Sequence, residues 1–230
     1  MAAAPGPALA GVGATREVLA LPGLTEDLLA PWEVRRLAAI RLPARRDDVL
    51  ASRLLLRLCV SRLTGRPPGD TELAQRCPDC GRHGHGRPYL PGHLGLGVSL
   101  SHADGVVAAA VGPGPTGVDV EAADRRPPAY RTLRRLLTEA ELRAAGPGDA
   151  GRLRAWVRFE ARFKAGGQAP RVRAWSDART GAVAAVATSA PAVVFSLRPP
   201  RAPGPPGPRA PGDPKSRARP VIRRLTPRDG

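Results

Sequence analysis

Residues 97–121 read GVSLSHADGVVAAAVGPGPTGVDVE, and this stretch decides the fold. It holds three short apolar runs, Gly97–Ser101, Val106–Val111 and Gly117–Glu121, each set off by Gly or Pro. Short Val-rich runs bounded by turn residues read as strands. Downstream, Pro127–Ala145 contains a helix, and Thr138 with Glu141 three residues on forms a capping box that opens a further turn. Gly146-Pro147-Gly148 breaks the chain. A second helix follows over Ala150–Ala165, then strands over Val172–Trp175, Val183–Thr188 and Val193–Leu197. Upstream, Arg45–Leu63 predicts a strong helix stopped by Gly65, and Thr25 caps a helix running through Ala39. Arg16–Leu21 reads as a short strand, and Arg66–Leu96, polar and rich in Gly and Pro, reads as irregular.

Helices and short strands before about Pro115 recur after it, so the expected class is α+β, with two similar α/β subdomains over 14–115 and 116–198. Residues 1–13, rich in Ala, Gly and Pro, read as a disordered N-terminus. Residues 199–230 hold ten prolines, eight basic residues and two acidic ones, the composition of a disordered basic tail.

The 230-residue chain carries a formal charge of +16, about +10 of it before Pro199. Such a chain favours polyanions: nucleic acid, acidic protein surfaces or phosphorylated small molecules. Only Lys164 and Lys215 are lysines, and arginine suits phosphate because its fork engages two oxygens. Aromatics at 3% leave few platforms for base stacking, which argues against a specific nucleic-acid reader. No run reaches the ~18 apolar residues of a membrane span, and no secretory signal opens the chain. Three cysteines make no disulfide framework, so a reducing cytoplasm is the expected compartment.

Three segments carry candidate chemistry. In Gly117-Val118-Asp119-Val120-Glu121 the two carboxylates share one strand face. They are either an exposed face or oxygen ligands for a hard divalent ion. In Trp156-Val157-Arg158-Phe159-Glu160-Ala161-Arg162-Phe163-Lys164, residues 156, 160 and 164 form one helical stripe. Glu160 and Lys164 there are either an ordinary ion pair or a ligand or base beside a phosphate contact. Ser99-Leu100-Ser101-His102 is either a plain strand end or a phosphate contact. Cys77-Pro78-Asp79-Cys80, with His83 and His85, has the spacing of half a zinc site but lacks a second spaced pair. It reads as a solvent-facing loop with reduced thiols, and Cys59 reads as a small core residue.

Taken in order, S-x-S-H, then G-V-D-x-E, then W-x-x-x-E-A-x-x-K resembles the 4′-phosphopantetheinyl transferases of the surfactin-synthetase-activating type. Arg53 in Ala51-Ser52-Arg53-Leu54-Leu55 resembles the family's R-x-L-L element, and Gly86-Arg87-Pro88 its G-(K/R)-P element. The resemblance spans about Arg16 to Thr188. It implies a pseudo-dimer of two α+β halves with coenzyme A and Mg²⁺ between them. It implies transfer of the phosphopantetheine group to a serine of an apo acyl or peptidyl carrier protein, releasing 3′,5′-ADP. By the same resemblance Asp119, Glu121 and Glu160 hold the metal, Glu160 is the base and Lys164 stabilises the leaving group. Arg53, Arg87 and His102 then hold coenzyme A phosphates, Ser101 shapes the pocket, and Arg36 and Arg41 are further contacts. Pairing of the halves within one chain makes a monomer the expected state.

Two departures from the family pattern stand out. Phe159 occupies the place of a family lysine, and only Ala165–Pro170 separates Lys164 from the closing strands, so the second half is expected to be short, with an open sheet edge. A catalytically weakened coenzyme A-binding relative and a basic nucleic-acid-binding protein are the competing classes.

Overall fold

The computed structural model describes residues 6–197. Its elements in chain order are β1 (Ala8–Ala14), α1 (Thr15–Leu19), a 3-10 turn (Glu26–Leu28), α2 (Pro31–Ala38), α3 (Pro43–Thr64), a second 3-10 turn (Pro68–Asp70), β2 (Ala74–Arg76), β3 (Arg87–Tyr89), β4 (Leu96–Ala103), β5 (Val106–Pro113) and β6 (Thr116–Ala122). They continue with α4 (Tyr130–Leu136), α5 (Glu139–Ala145), α6 (Asp149–Lys164), β7 (Arg171–Asp177), β8 (Ala182–Thr188) and β9 (Ala192–Ser196). The class is α+β. Proline opens α2 and α3 at the position where its missing N–H costs nothing, and Gly65, at φ 73°, ends α3 in the left-handed region. Thr138 caps α5 reciprocally with Glu141, as the spacing predicts.

The strands form two sheets, ordered β2-β3-β4-β5-β1-β9 and β6-β8-β7. Alternation along the strands sorts their side chains into four layers. Val107, Ala109 and Val111 of β5 face α3, meeting Leu54, Leu55 and Cys59. Ala108 and Ala110 face the other way, against Val118, Val120, Ala184 and Val186 of the second sheet. Val183, Ala185 and Ala187 of β8 then face Leu153, Val157 and Ala161 of α6. The order is helix, sheet, sheet, helix, with mostly Ala and Val where the sheets meet. Each sheet contains the same run: β1-α3-β4-β5 with β5 in the middle, and β6-α6-β7-β8 with β8 in the middle, all pairs antiparallel.

Several expectations are corrected. The expected disordered segment 1–13 includes all but the last residue of Ala8–Ala14, which is a strand between β5 and β9, buried through most of its length. Its Ala and Gly residues have weak strand preference alone, but neighbours on both sides satisfy their backbone groups. Arg16–Leu21 is not a strand: Thr15–Leu19 is a short helix whose Thr15 and Val18 are buried. The helix expected from Thr25 to Ala39 is split by Pro31, and Arg66–Leu96 contains two short strands. The division at 115/116 separates the chain but not the sheets, because β9 returns to pair in parallel with β1 of the first sheet. The second sheet has three strands against six, in line with a short second half. The 199–230 tail lies outside the described residues, among which no helix is long and apolar enough to cross a membrane.

Candidate functional site

Gly117 sets the geometry of the site. A Cβ at this position would lie 2.0 Å from the Ala161 carbonyl oxygen and 2.6 Å from the Ala165 amide nitrogen. Only glycine lets the backbone of α6 come this close to β6. Two residues along the strand and one turn along the helix, Asp119 and Lys164 therefore face each other. Lys164 Nζ donates to Asp119 Oδ1 at 2.7 Å and to Ser101 Oγ at 2.9 Å, while Ser101 Oγ donates to the same Asp119 oxygen at 2.8 Å. One residue from each of β4, β6 and α6 thus closes a small polar network. Ser99 joins β4 to β6 by accepting the Val118 N–H at 3.0 Å.

Asp119 is buried, and its second oxygen, Oδ2, has no hydrogen-bond partner. A buried carboxylate oxygen left unpaired is costly unless a cation or donor meets it. Two more carboxylates stand nearby. Burial holds Glu160 above the usual carboxylate range, and the Asp119 charge adds to this; Lys164 opposes it and Glu121 adds a smaller push. Burial also raises Glu121, against the guanidinium of Arg125, and Asp119 again pushes upward. Like charges gathered with one buried oxygen unmatched suit a hard divalent cation, which takes oxygen ligands. Asp119, Glu121 and Glu160 are the side chains that could hold one. They are not drawn into a tight cluster: Lys164 holds Asp119 and Arg125 holds Glu121.

Three adjoining cavities run past this network. One of about 450 Å³ is lined by Arg87, Ser99, Lys164 and Gly166. The Arg87 guanidinium lies against Gly166, 2.8 Å from where a Cβ would stand, so β3 reaches the end of α6 there. A second, about 470 Å³, shares Gln75 and Leu100 with the first and is walled by Arg36, Arg41, Arg45, Arg53 and His102. A third, about 830 Å³, shares His102 and Arg45 with the second and reaches Glu121 and Arg125. His102, Arg87, Glu121 and Lys164, far apart in sequence, therefore line adjoining cavities with cationic walls, and Ser101 lies buried behind Lys164.

Arg53 fits its expected role least well. It is only 3% exposed, and Nη1 donates to buried Glu33 at 2.6 Å, while Arg57 closes on the same carboxylate. Trp32 lies over its guanidinium at 5.0 Å. His102 is held below its ordinary value by burial; Asp48 opposes this, and Arg45, Lys164 and Arg53 reinforce it. These surroundings favour the neutral imidazole. Phe159 stacks on Trp156 at 5.8 Å and packs toward Leu133 and Leu137, so it braces α6 rather than presenting a charge. Cys59 is a core residue, its thiol pushed up to about 12 by burial.

Sequence reasoning missed Gln75, Asp48 and Glu33. Gln75 lies between two cavities on a three-residue strand too short to show a pattern. Asp48 anchors Thr15 and faces His102 from inside a helix where it reads as solvent-facing. Glu33 is the hub of a buried pair that no local spacing reveals. No model of a known protein family matches this chain, and no curated protein matches it either.

Proposed function

We propose that this chain is a Mg²⁺-dependent 4′-phosphopantetheinyl transferase, moving the phosphopantetheine group of coenzyme A to a serine of an acyl or peptidyl carrier protein. The observation that carries this reading is the meeting of Ser101, Asp119 and Lys164, with Glu160 and Glu121 near enough to feel the Asp119 charge, and with Lys164 and Glu121 facing cavities that adjoin an arginine-walled one. Three motifs read separately along the chain belong to one place, in the order the family resemblance requires. The recurring β-α-β-β run supports reading the two halves as a pseudo-dimer with the groove between them. Such a chain pairs its own halves and works as a monomer.

The roles follow from the chemistry of the side chains. Asp119, Glu121 and Glu160 would hold Mg²⁺, Asp119 offering its unpaired Oδ2. When bound, the ion neutralises charge on the pyrophosphate oxygens of the donor. Glu160 accepts the proton of the carrier serine, directly or through a water, and a carboxyl raised toward the working pH is a better base for it. The serine oxygen then bonds to the β-phosphorus, and 3′,5′-ADP leaves with the bridging oxygen. Lys164 turns from Asp119 toward the leaving group, and Arg87 faces the same cavity. His102 donates a ring N–H to a phosphate oxygen, and Arg36, Arg41 and Arg45 add positive field. Arg53 contributes field and shape, since Glu33 already takes its fork. Ser101 fixes Asp119. An acidic carrier is steered by the basic body, an attraction that salt weakens.

The test is intact-mass measurement of a panel of apo carriers incubated with the protein, coenzyme A and Mg²⁺. A gain of one phosphopantetheine group on a carrier supports the reading. Coenzyme A binding without transfer to any carrier would make the chain a weakened relative. Binding of single-stranded nucleic acid in preference to coenzyme A would overturn the reading.

A further inference from the structure

The loop between β2 and β3 is solvent-facing, as its sequence predicts, and the fold also draws its two ends together. Cys77 follows β2 directly and Gly86 precedes β3 directly, so the loop closes on itself. Gly86 packs so tightly that a Cβ there would lie 2.4 Å from Cys77 Cα, and Gly81, Gly84 and Gly86 all take positive φ to make the turns. The result brings Cys77 Sγ, Cys80 Sγ and a ring nitrogen of His85 within 4.8 Å of one another. Cys80 Sγ lies 3.3 Å from His85 Nε2. Among the described residues this is the one group of three potential metal ligands so close together.

From these contacts we infer that Cys77, Cys80 and His85 bind a zinc ion that staples the β2–β3 hairpin. A tetrahedral zinc, with Zn–S of about 2.3 Å and Zn–N of about 2.0–2.1 Å, sets its sulfur and nitrogen ligands roughly 3.5 Å apart. The Cys80–His85 separation is close to that. Two thiolates and an imidazole favour zinc over the hard cations suited to the carboxylates of the groove. Asp79 Oδ2 lies 3.9 Å from Cys77 Sγ but outside the three-ligand group, which leaves the fourth position of a tetrahedral ion to a solvent ligand. No helix begins at Cys77, so this Cys-x-x-Cys lacks the helix N-terminus that lowers the thiol pKa in redox pairs.

The hairpin needs such a staple. Its strands are three residues each, Pro88 withholds one ladder donor, and β3 meets β4 at the single pair Tyr89–Gly97. Two short strands with so little buried surface are marginal alone. Yet this hairpin carries Gln75 and Arg87 to the groove, and the Gly84 carbonyl in its loop accepts from Arg36 Nη1 at 3.1 Å. The metal sits outside the groove and fixes part of its wall.

The experiment uses the full chain and Zn²⁺ or Co²⁺ alone, with no donor or carrier present. The purified protein is expected to hold about one zinc per chain through dialysis. The Co²⁺ form is expected to show thiolate charge-transfer absorption and intense tetrahedral bands. Cys80→Ser and His85→Ala should each reduce the metal to near none while the circular dichroism of the fold is kept. Zn²⁺ should also shield Cys77 and Cys80 from thiol reagents and slow amide exchange over residues 74–89. Absence of metal in the wild type, with both thiols equally reactive with and without Zn²⁺, would overturn the site. So would a Cys77–Cys80 disulfide in reduced-buffer preparations, or wild-type metal content in both variants. Bound zinc without any change in hairpin exchange would overturn the staple.

Discussion

The two β-α-β-β runs share a strand order and divide the work differently. The first is built out: β2 and β3 extend one edge, β9 covers the other, and half of the 22 residues of α3 are buried. The second has a smaller sheet of three strands, with α4 and α5 packed on α6 and Lys164 of α6 meeting Asp119 of β6. The first run supplies walls and cations, Arg45, Arg53, Arg87 and His102. The second supplies the carboxylates and the lysine. In the second run a helix and a strand come into direct backbone contact at Gly117, and the Asp119–Lys164 pair sits at that contact.

The difference can be probed by breaking each half at its own tight point. The largest stability effect belongs to the first half. Glu33→Ala leaves Arg53 and Arg57 buried without their shared carboxylate, and chemical denaturation should show a loss of about 3–5 kcal/mol. A loss under about 1 kcal/mol would mean the arginines find other partners. Next come two glycines. Gly117→Val drives a side chain into the α6 backbone and should cost about 1–3 kcal/mol or more. Gly11→Ala, on the matching strand β1, meets only the Phe195 ring, which can rotate away, and should cost less. Equal losses in the two variants would contradict the claim that backbone contact distinguishes the second half.

A smaller effect concerns the charges. The folded-state values of Glu160 and Glu121 are raised, so the native state holds those protons more tightly than the unfolded chain. Stability therefore falls as pH rises from the usual carboxylate range through the raised values, and remains lower at neutral pH. Glu160→Gln should raise the neutral-pH Tm measured without divalent ions, and should shrink the further rise that Mg²⁺ gives the wild type. An unchanged Mg²⁺ response would place the ion elsewhere. The smallest effect is at His102. Its depressed value means the stability it contributes is present above the unfolded histidine pKa and is lost as pH falls below it. In an NMR titration its midpoint should lie below the ordinary histidine value and move upward when pyrophosphate enters the groove. A midpoint indifferent to pyrophosphate would remove His102 from the anion site.

Much of this was readable in the sequence where the signal is local. Glu160 and Lys164 share a stripe because a helix repeats every 3.6 residues, and Asp119 and Glu121 share a face because a strand alternates. The capping pair Thr138 and Glu141 is likewise a four-residue fact. What stayed hidden depends on partners distant in the chain. Ala8–Ala14 becomes a central strand only because Val106–Val111 and Ala192–Ser196 flank it. Cys77, Cys80 and His85 resemble an open loop until β2 and β3 pair and bring them together. The Asp119–Lys164 contact needs Gly117, whose meaning lies in the helix it admits.

The most direct measurement is calorimetric titration of coenzyme A into the wild type and Asp119→Asn, each with and without Mg²⁺, with circular dichroism confirming that the variant is folded. Binding that depends on Mg²⁺ in the wild type, with that dependence lost in Asp119→Asn, is the predicted result. Equal affinity in all four titrations, or no binding in any, would contradict a divalent-ion site built by β6 and α6.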